Sequence, residues 1–237
     1  MPTTKSRRDR FSLSELLASK KIESRDPEQY RELVKEHYNG PAGWFTLITG
    51  MMTGHELLAR RVINPRAFDV RGCKMILDAG CGNGRYLRLL QKQSDPDAIV
   101  VGCDFSSGML RRARMRLRSH RAHLLTADLN RLPYADATFD AVVCGWVLEH
   151  LQDPLVGLSE LARVTRPGGR LLLLTTEHSI LGAMCSWFYH NRMSKRSELR
   201  DVVRQAGLEW YRERWWTHLH KLLRAGGIVV ELRRAQR

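Results

Sequence analysis

The chain has 237 residues, 43% hydrophobic and 27% charged, which is ordinary globular usage and excludes a chain disordered throughout. Its 39 Lys and Arg against 25 Asp and Glu leave a net charge of +14, a surface that attracts RNA, DNA or anionic lipid headgroups but specifies no fold. The five cysteines (Cys73, Cys81, Cys103, Cys144 and Cys185) include no C-x-x-C pair, so neither a disulfide framework nor a metal site is expected and a cytoplasmic compartment fits best.

Residues 1–10 are polar and basic, without the apolar run of a signal peptide. No segment reaches the ~20 apolar residues of a membrane span, so membrane contact is expected to be peripheral. Phe11 to Lys21 carries a short helical pattern in Leu13, Leu16 and Leu17. Asp26-Pro27 opens a second helix, with Tyr30, Leu33, Val34 and His37 at helical spacing, and Asn39-Gly40-Pro41 breaks it. A third helical stretch runs from Trp44 to Val62 and ends near Asn64-Pro65. Residues 1–66 thus read as a helical N-terminal extension without strands, and 67–237 as a separate domain.

Beyond residue 66, strand-like and helical runs alternate. Strands are expected at Lys74 to Ala79, Ala98 to Cys103, Ala122 to Ala127, Phe139 to Cys144 and Arg170 to Thr175. Helices are expected at Gly84 to Gln93, Ser107 to Ser119, Pro154 to Thr165 and Ser194 to Ala206. This alternation predicts an α/β fold, a mostly parallel sheet with helices on both faces. The run Leu171-Leu172-Leu173-Leu174 suits a central strand buried on both sides. Leu208 to Trp215 and Gly227 to Leu232 could add an antiparallel pair at the sheet edge.

The strongest local signal is Asp78-Ala79-Gly80-Cys81-Gly82-Asn83-Gly84, a glycine-rich turn between a strand and a helix. Its end, Asn83-Gly84-Arg85, is not the Gly-Lys-Ser/Thr of a P-loop, and Arg85 stands where a dinucleotide fingerprint needs its third Gly or Ala. A carboxylate at Asp78 is awkward beside a pyrophosphate and comfortable near a cationic ligand. Asp104 closes the next strand about 20 residues on, where an acid can bind both hydroxyls of a ribose.

With those residues, roughly 70–177 resemble the class I S-adenosylmethionine methyltransferases, particularly the ubiquinone and menaquinone biosynthetic group. Ile76 to Gly84 resembles the first motif of that family, and Gly102-Cys103-Asp104-Phe105-Ser106 its ribose motif. Ala127-Asp128-Leu129-Asn130-Arg131-Leu132-Pro133-Tyr134 resembles the adenine-contacting segment, and Phe139 to Cys144 leads into Glu149-His150-Leu151 before Arg166-Pro167-Gly168-Gly169. The resemblance implies a Rossmann-like seven-stranded sheet with its last strand antiparallel. It also implies S-adenosylmethionine as cofactor. The implied contacts are Asp78, Gly80, Cys81, Gly82 and Gly84 at the first turn, and Asp104, Phe105, Ser106 and Met109 at the second. Asp128 and Leu129 would follow at the third, and Cys144, Gly145 and Trp146 at the fourth.

Methyl transfer from a sulfonium needs orientation and shielding, and a general base only if the acceptor must lose a proton. His150 and His178 are the candidate catalytic residues. The acceptor side is expected to draw on the N-terminal helices, as a cap, and on the insert Ser179 to Met193, with Leu181, Met184, Trp187, Phe188 and Tyr189. These features predict a small or lipid-like acceptor of the quinone-precursor or aminophospholipid class, with an anionic membrane surface as a peripheral partner. The alternatives are an RNA methyltransferase, for which no Asn/Asp-Pro-Pro-Tyr/Phe signature is present, and a non-catalytic cofactor-binding assembly partner.

Overall fold

A computed structural model describes residues 26–40, 55–117, 122–179, 182–183, 191–222 and 227–236. The helix expected over Phe11 to Lys21, the first part of that expected from Trp44, and the insert residues Leu181, Met184, Trp187, Phe188 and Tyr189 lie outside the described residues.

Among the described residues two helices precede the sheet, α1 (Pro27–Asn39) and α2 (His55–Val62). Asp26 caps α1: its Oδ1 accepts from the amides of Glu28 and Gln29, both at 3.1 Å, and Pro27 takes the first position, where no amide is needed. Then follow β1 (Met75–Ala79), α3 (Arg85–Gln93), β2 (Ile99–Asp104), α4 (Ser107–Leu117), β3 (Ala122–Thr126) and β4 (Phe139–Gly145). A 3₁₀ turn (Leu148–His150) leads to α5 (Pro154–Val164), β5 (Thr165–Thr175), α6 (Arg196–Gln205), β6 (Leu208–Arg214), α7 (His218–Leu222) and β7 (Ile228–Arg234).

The seven strands form one sheet in the order β3-β2-β1-β4-β5-β7-β6, with β7 antiparallel to both neighbours and the other pairs parallel. This is the Rossmann-like arrangement expected. The leucine run of β5 shows why its apolar residues are continuous. Leu171 and Leu173 enter one core cluster, with Leu158 and Leu161 of α5 and Leu199 and Val203 of α6. Leu172 and Leu174 enter the other, with Ala59 of α2 and Leu87 and Leu90 of α3. A strand covered on both faces has no solvent side to make polar, and each fully buried leucine contributes about 2 kcal/mol.

Two local outcomes differ from the sequence reading. β5 begins at Thr165 rather than Arg170, because Thr165 pairs with Phe139 and the ladder resumes at Ala141 with Arg170, leaving the intervening turn as an irregularity. The segment after β6 forms the short helix α7, which no periodicity signalled. Among the described residues no helix is long and apolar enough to cross a membrane.

The antiparallel edge carries a buried charge. Glu231 of β7 is 1% exposed and accepts from Arg170 of β5 and from Arg214 of β6, both at 3.0 Å. One carboxylate thus ties together β5, β7 and β6, the three strands joined by the antiparallel pairings of the sheet. Removing it would leave two partly buried guanidinium groups uncompensated. Glu231→Ala is therefore expected to cost about 3 kcal/mol, read as a lower urea midpoint with an unchanged slope, while Glu231→Asp retains part of the stability.

Candidate active site

The parallel strands β1 to β5 end at one edge of the sheet, and the turns that follow them surround a cavity. At the first turn the backbone of Gly80 (φ 71°) and Gly82 (φ 51°) is left-handed. A Cβ on Gly80 would stand 2.2 Å from a methyl of Val147, so this strand end can pass its neighbour only as glycine. Three bonds hold the turn: the Cys81 amide to the Cys103 carbonyl (2.8 Å), the Gly84 amide to the Cys81 carbonyl (2.8 Å), and the Gly82 amide to Asp104 Oδ2 (2.8 Å).

Asp104 is itself fixed, because its Oδ1 accepts from the Ser106 amide at 2.9 Å. Burial pushes its carboxyl up to about 6, with the Ser106 and Gly82 amides pulling it back. Each oxygen has spent one lone pair on an amide and keeps a second. The carboxylate therefore lines the cavity as a pre-aimed acceptor of two more hydrogen bonds.

Most of the expected contacts meet here. Gly80, Cys81 and Gly82 form one wall, and Asp104, Phe105 and Met109 another. Asp128 and Leu129 stand beyond β3, and Gly145, Trp146 and His150 beyond β4. Asp128 accepts from the Asn130 amide at 3.0 Å and pairs with Arg31 at 2.7 Å.

Five expected residues do not line the cavity. Asp78 is wholly buried behind the glycine turn, and neither of its oxygens makes a full hydrogen bond among the described residues. Burial pushes its carboxyl up to about 8 against a weak downward pull from the Leu87 amide. Gly84 backs onto Ala113 of α4. Ser106 serves locally, its hydroxyl accepting from the Met109 amide and bonding Asn39. Cys144 is a core residue. His178 is exposed, its amide bonded to the Ser194 carbonyl. Burial also holds the Cys81 and Cys144 thiols well above their ordinary range, so neither supplies a thiolate at neutral pH.

Sequence reasoning missed residues that only the packing brings in. Arg31, Val34 and Tyr38 reach the cavity from α1, and Tyr86 from α3. The helical spacing of α1 was legible, but not which surface it would meet. Tyr86 receives a hydrogen bond from Trp146 Nε1 at 3.0 Å, and Trp146 adopts a left-handed backbone (φ 63°) that turns the chain at the end of β4. Next, Glu149 is buried and accepts from Thr175 Oγ1 (3.0 Å) and Thr176 Oγ1 (2.8 Å). Burial pushes it up to about 7. This anchor sets the turn that carries His150, whose Nε2 lies 2.9 Å from the Tyr38 hydroxyl.

These residues fit S-adenosylmethionine. The glycine cradle admits a ligand against bare backbone, Asp104 presents a ribose acceptor, and Phe105, Met109 and Leu129 offer the apolar slot an adenine needs. Among the described residues no group of three or more His, Cys, Asp or Glu is placed to hold a metal ion.

Residues 77–173 match a methyltransferase-domain family. The chain is 36% identical over 144 residues to a ubiquinone/menaquinone biosynthesis C-methyltransferase, UbiE, of Desulfotalea psychrophila, covering 60% of this chain and 58% of that protein. It is 29% identical over 170 residues to a demethylmenaquinone methyltransferase of Roseiflexus sp., covering 70% and 71%. The aligned part thus spans little more than half of the first of these relatives. Magnesium protoporphyrin IX methyltransferase of Synechocystis PCC 6803, solved with bound SAH, superposes with a TM-score of 0.68 at 19% identity, covering 86% of this chain and all of that one, a likeness of fold.

The buried carboxyls make stability depend on pH. Asp78 at about 8, Glu149 at about 7 and Asp104 at about 6 all lie above the unfolded value near 4. Each holds in the folded state a proton the unfolded chain has released, so their contribution is full below about pH 4 and is lost as pH rises through the folded values. The ligand-free protein is expected to show a lower urea midpoint at about pH 8.5 than at about pH 5.5, and Asp78→Asn should flatten that decline. A decline as steep in Asp78→Asn as in the parent chain would show that the proton sits elsewhere.

Proposed function

Since the chain belongs to the class I S-adenosylmethionine-dependent methyltransferases, in the group related to UbiE, we propose that it transfers a methyl group from S-adenosylmethionine to a small or lipid-like acceptor of the quinone-precursor class. The observation that carries this reading is Asp104, a buried carboxylate fixed by two backbone amides with acceptor capacity left toward the cavity.

The bound cofactor supplies a methyl group already attached to a good leaving group, the sulfonium. The rest falls to the protein as orientation and shielding. Asp104 would hold the ribose, and Asp128 would meet the adenine end. Gly80 and Gly82 would let the backbone approach the methionine end, and Trp146 and Tyr86 brace the wall nearby. Helix α1 closes the far side through Arg31, Val34 and Tyr38, which limits water at the transfer point. The quinone-biosynthetic relatives named above favour a quinone precursor over an aminophospholipid. The net charge of +14 supports a peripheral anionic membrane as the place where a lipid-like acceptor is met. The same charge supports RNA as a second reading.

Calorimetry with S-adenosylhomocysteine tests the cofactor. One site per chain is expected, and Asp104→Ala should weaken it about 100-fold, the value of two charge-assisted hydrogen bonds. Turnover of a reduced demethylmenaquinone, measured beside a tRNA transcript at matched salt, tests the acceptor; methylation of RNA alone would overturn the quinone reading.

A further inference from the structure

We propose that Tyr38 and His150 form a proton-accepting pair, and that the acceptor therefore carries an ionisable hydroxyl, as a phenol or quinol does, which faces this pair. The inference rests on the methyl-transfer reading above and narrows it.

The two residues are 112 positions apart, yet the Tyr38 hydroxyl lies 2.9 Å from His150 Nε2, with the rings edge to face at 5.4 Å. Both line the cavity beside Gly145 and Trp146. Neither position is left to chance. Arg112 of α4 reaches over to the last turn of α1 and donates to the carbonyls of Tyr38 (2.7 Å) and Gly40 (3.1 Å). The neighbouring Asn39 Oδ1 accepts from the Gly108 amide (3.0 Å) and from Ser106 Oγ (2.8 Å). That contact is so close that a Cβ on Gly108 would stand 2.7 Å from Asn39 Oδ1. On the other side, Glu149 is pinned by Thr175, which ends β5, and by Thr176 just after it, and the His150 amide bonds the Val147 carbonyl at 2.9 Å. Two separate anchoring sets thus converge on one polar pair in the wall of the cofactor cavity.

The chemistry suits a hydroxyl acceptor. A phenol alone, ionising near 10, takes up a proton poorly at neutral pH, but an imidazole, near 6.5, takes it well. Tyr38 can pass its proton to His150 Nε2 while its oxygen takes the proton of the acceptor hydroxyl. As the acceptor O–H bond breaks, its electron pair is delocalised onto the ring. The ortho carbon then bonds the methyl group while the methyl–sulfur bond breaks, its electron pair staying on sulfur. The same ring carbon finally loses its hydrogen to water as a proton, which restores aromaticity, and the phenolate oxygen takes back the proton held by the Tyr38–His150 pair. The balance closes on one methyl transferred and one proton released, with no oxidant or reductant.

The test compares the full chain with Tyr38→Phe and His150→Asn on quinols and phenols of graded acidity. For weakly acidic acceptors, kcat is expected to fall about 100-fold in both variants, the range of a lost general base, with affinity for S-adenosylhomocysteine within about twofold. For acceptors already ionised in solution, the variants should approach the parent rate, which a merely structural role would not produce. A readout independent of turnover uses nitrophenol bound in the presence of S-adenosylhomocysteine. The parent chain should show more phenolate absorbance than Tyr38→Phe, whose ring is preserved and whose folding is the safer of the two. A uniform loss across the acidity series, or equal phenolate in both proteins, overturns the pair. If the parent chain binds S-adenosylhomocysteine but methylates none of the series, the quinone reading fails instead, and the phenolate comparison still decides the pair.

Discussion

Beside the backbone bond from the Cys81 amide to the Cys103 carbonyl, one side-chain hydrogen bond joins the two halves of the site: the Gly82 amide to Asp104 Oδ2. It links the turn after β1 to the end of β2, so the glycine cradle and the Asp104 carboxylate cannot move independently. A carboxylate oriented by fixed dipoles needs no reorganisation when a ligand arrives. The cost is a buried acid, visible in the upward pull of burial on Asp104 and more strongly on Asp78. The site has been made ready for its ligand at the expense of the ligand-free fold, as binding sites commonly are.

Asp78 extends the same logic. The resemblance placed it among the cofactor contacts, but in the fold it sits under the glycine turn, sealed from the cavity. Its neighbour Ala79 ends β1, after which the left-handed Gly80 turns the chain away. A carboxyl there acts on the turn from below and on the cavity only through it.

The other organising feature is the way α1 is bound to the sheet domain. Its apolar side is modest, with Tyr30 and Val34 packed near Phe105. Its position is fixed instead by polar ties at its last turn, where Asn39 and Arg112 bridge α1 and α4. Such ties are directional where an apolar contact is not. They hold Tyr38 in register with a histidine that belongs to the end of β4, and they make one wall of the cavity from a helix outside the βα repeat.

Much of this protein was written into local sequence. Alternating apolar runs, Asp26-Pro27 at a helix start and the Asp78–Gly84 turn each follow from short-range rules: periodicity, capping and the conformational freedom of glycine. They determined the sheet and the helices on both faces, while the cofactor was implied by the family resemblance that the motifs carry. Asp104 was legible because an acid that closes the second strand of such a sheet can meet a ribose, whereas Asp128 was named only through the resemblance. Tertiary structure alone decided which of the two histidines lines the cavity. His150 and His178 both follow a strand of the sheet, and nothing local separates them. The pairing of Glu149 with Thr175 and Thr176 turns His150 inward, while His178 is left exposed. Likewise α1 was readable as a helix, but periodicity records only that a face is apolar, not what it meets. The meeting of Tyr38 with His150, across 112 residues, depends on a docking geometry that no local pattern encodes.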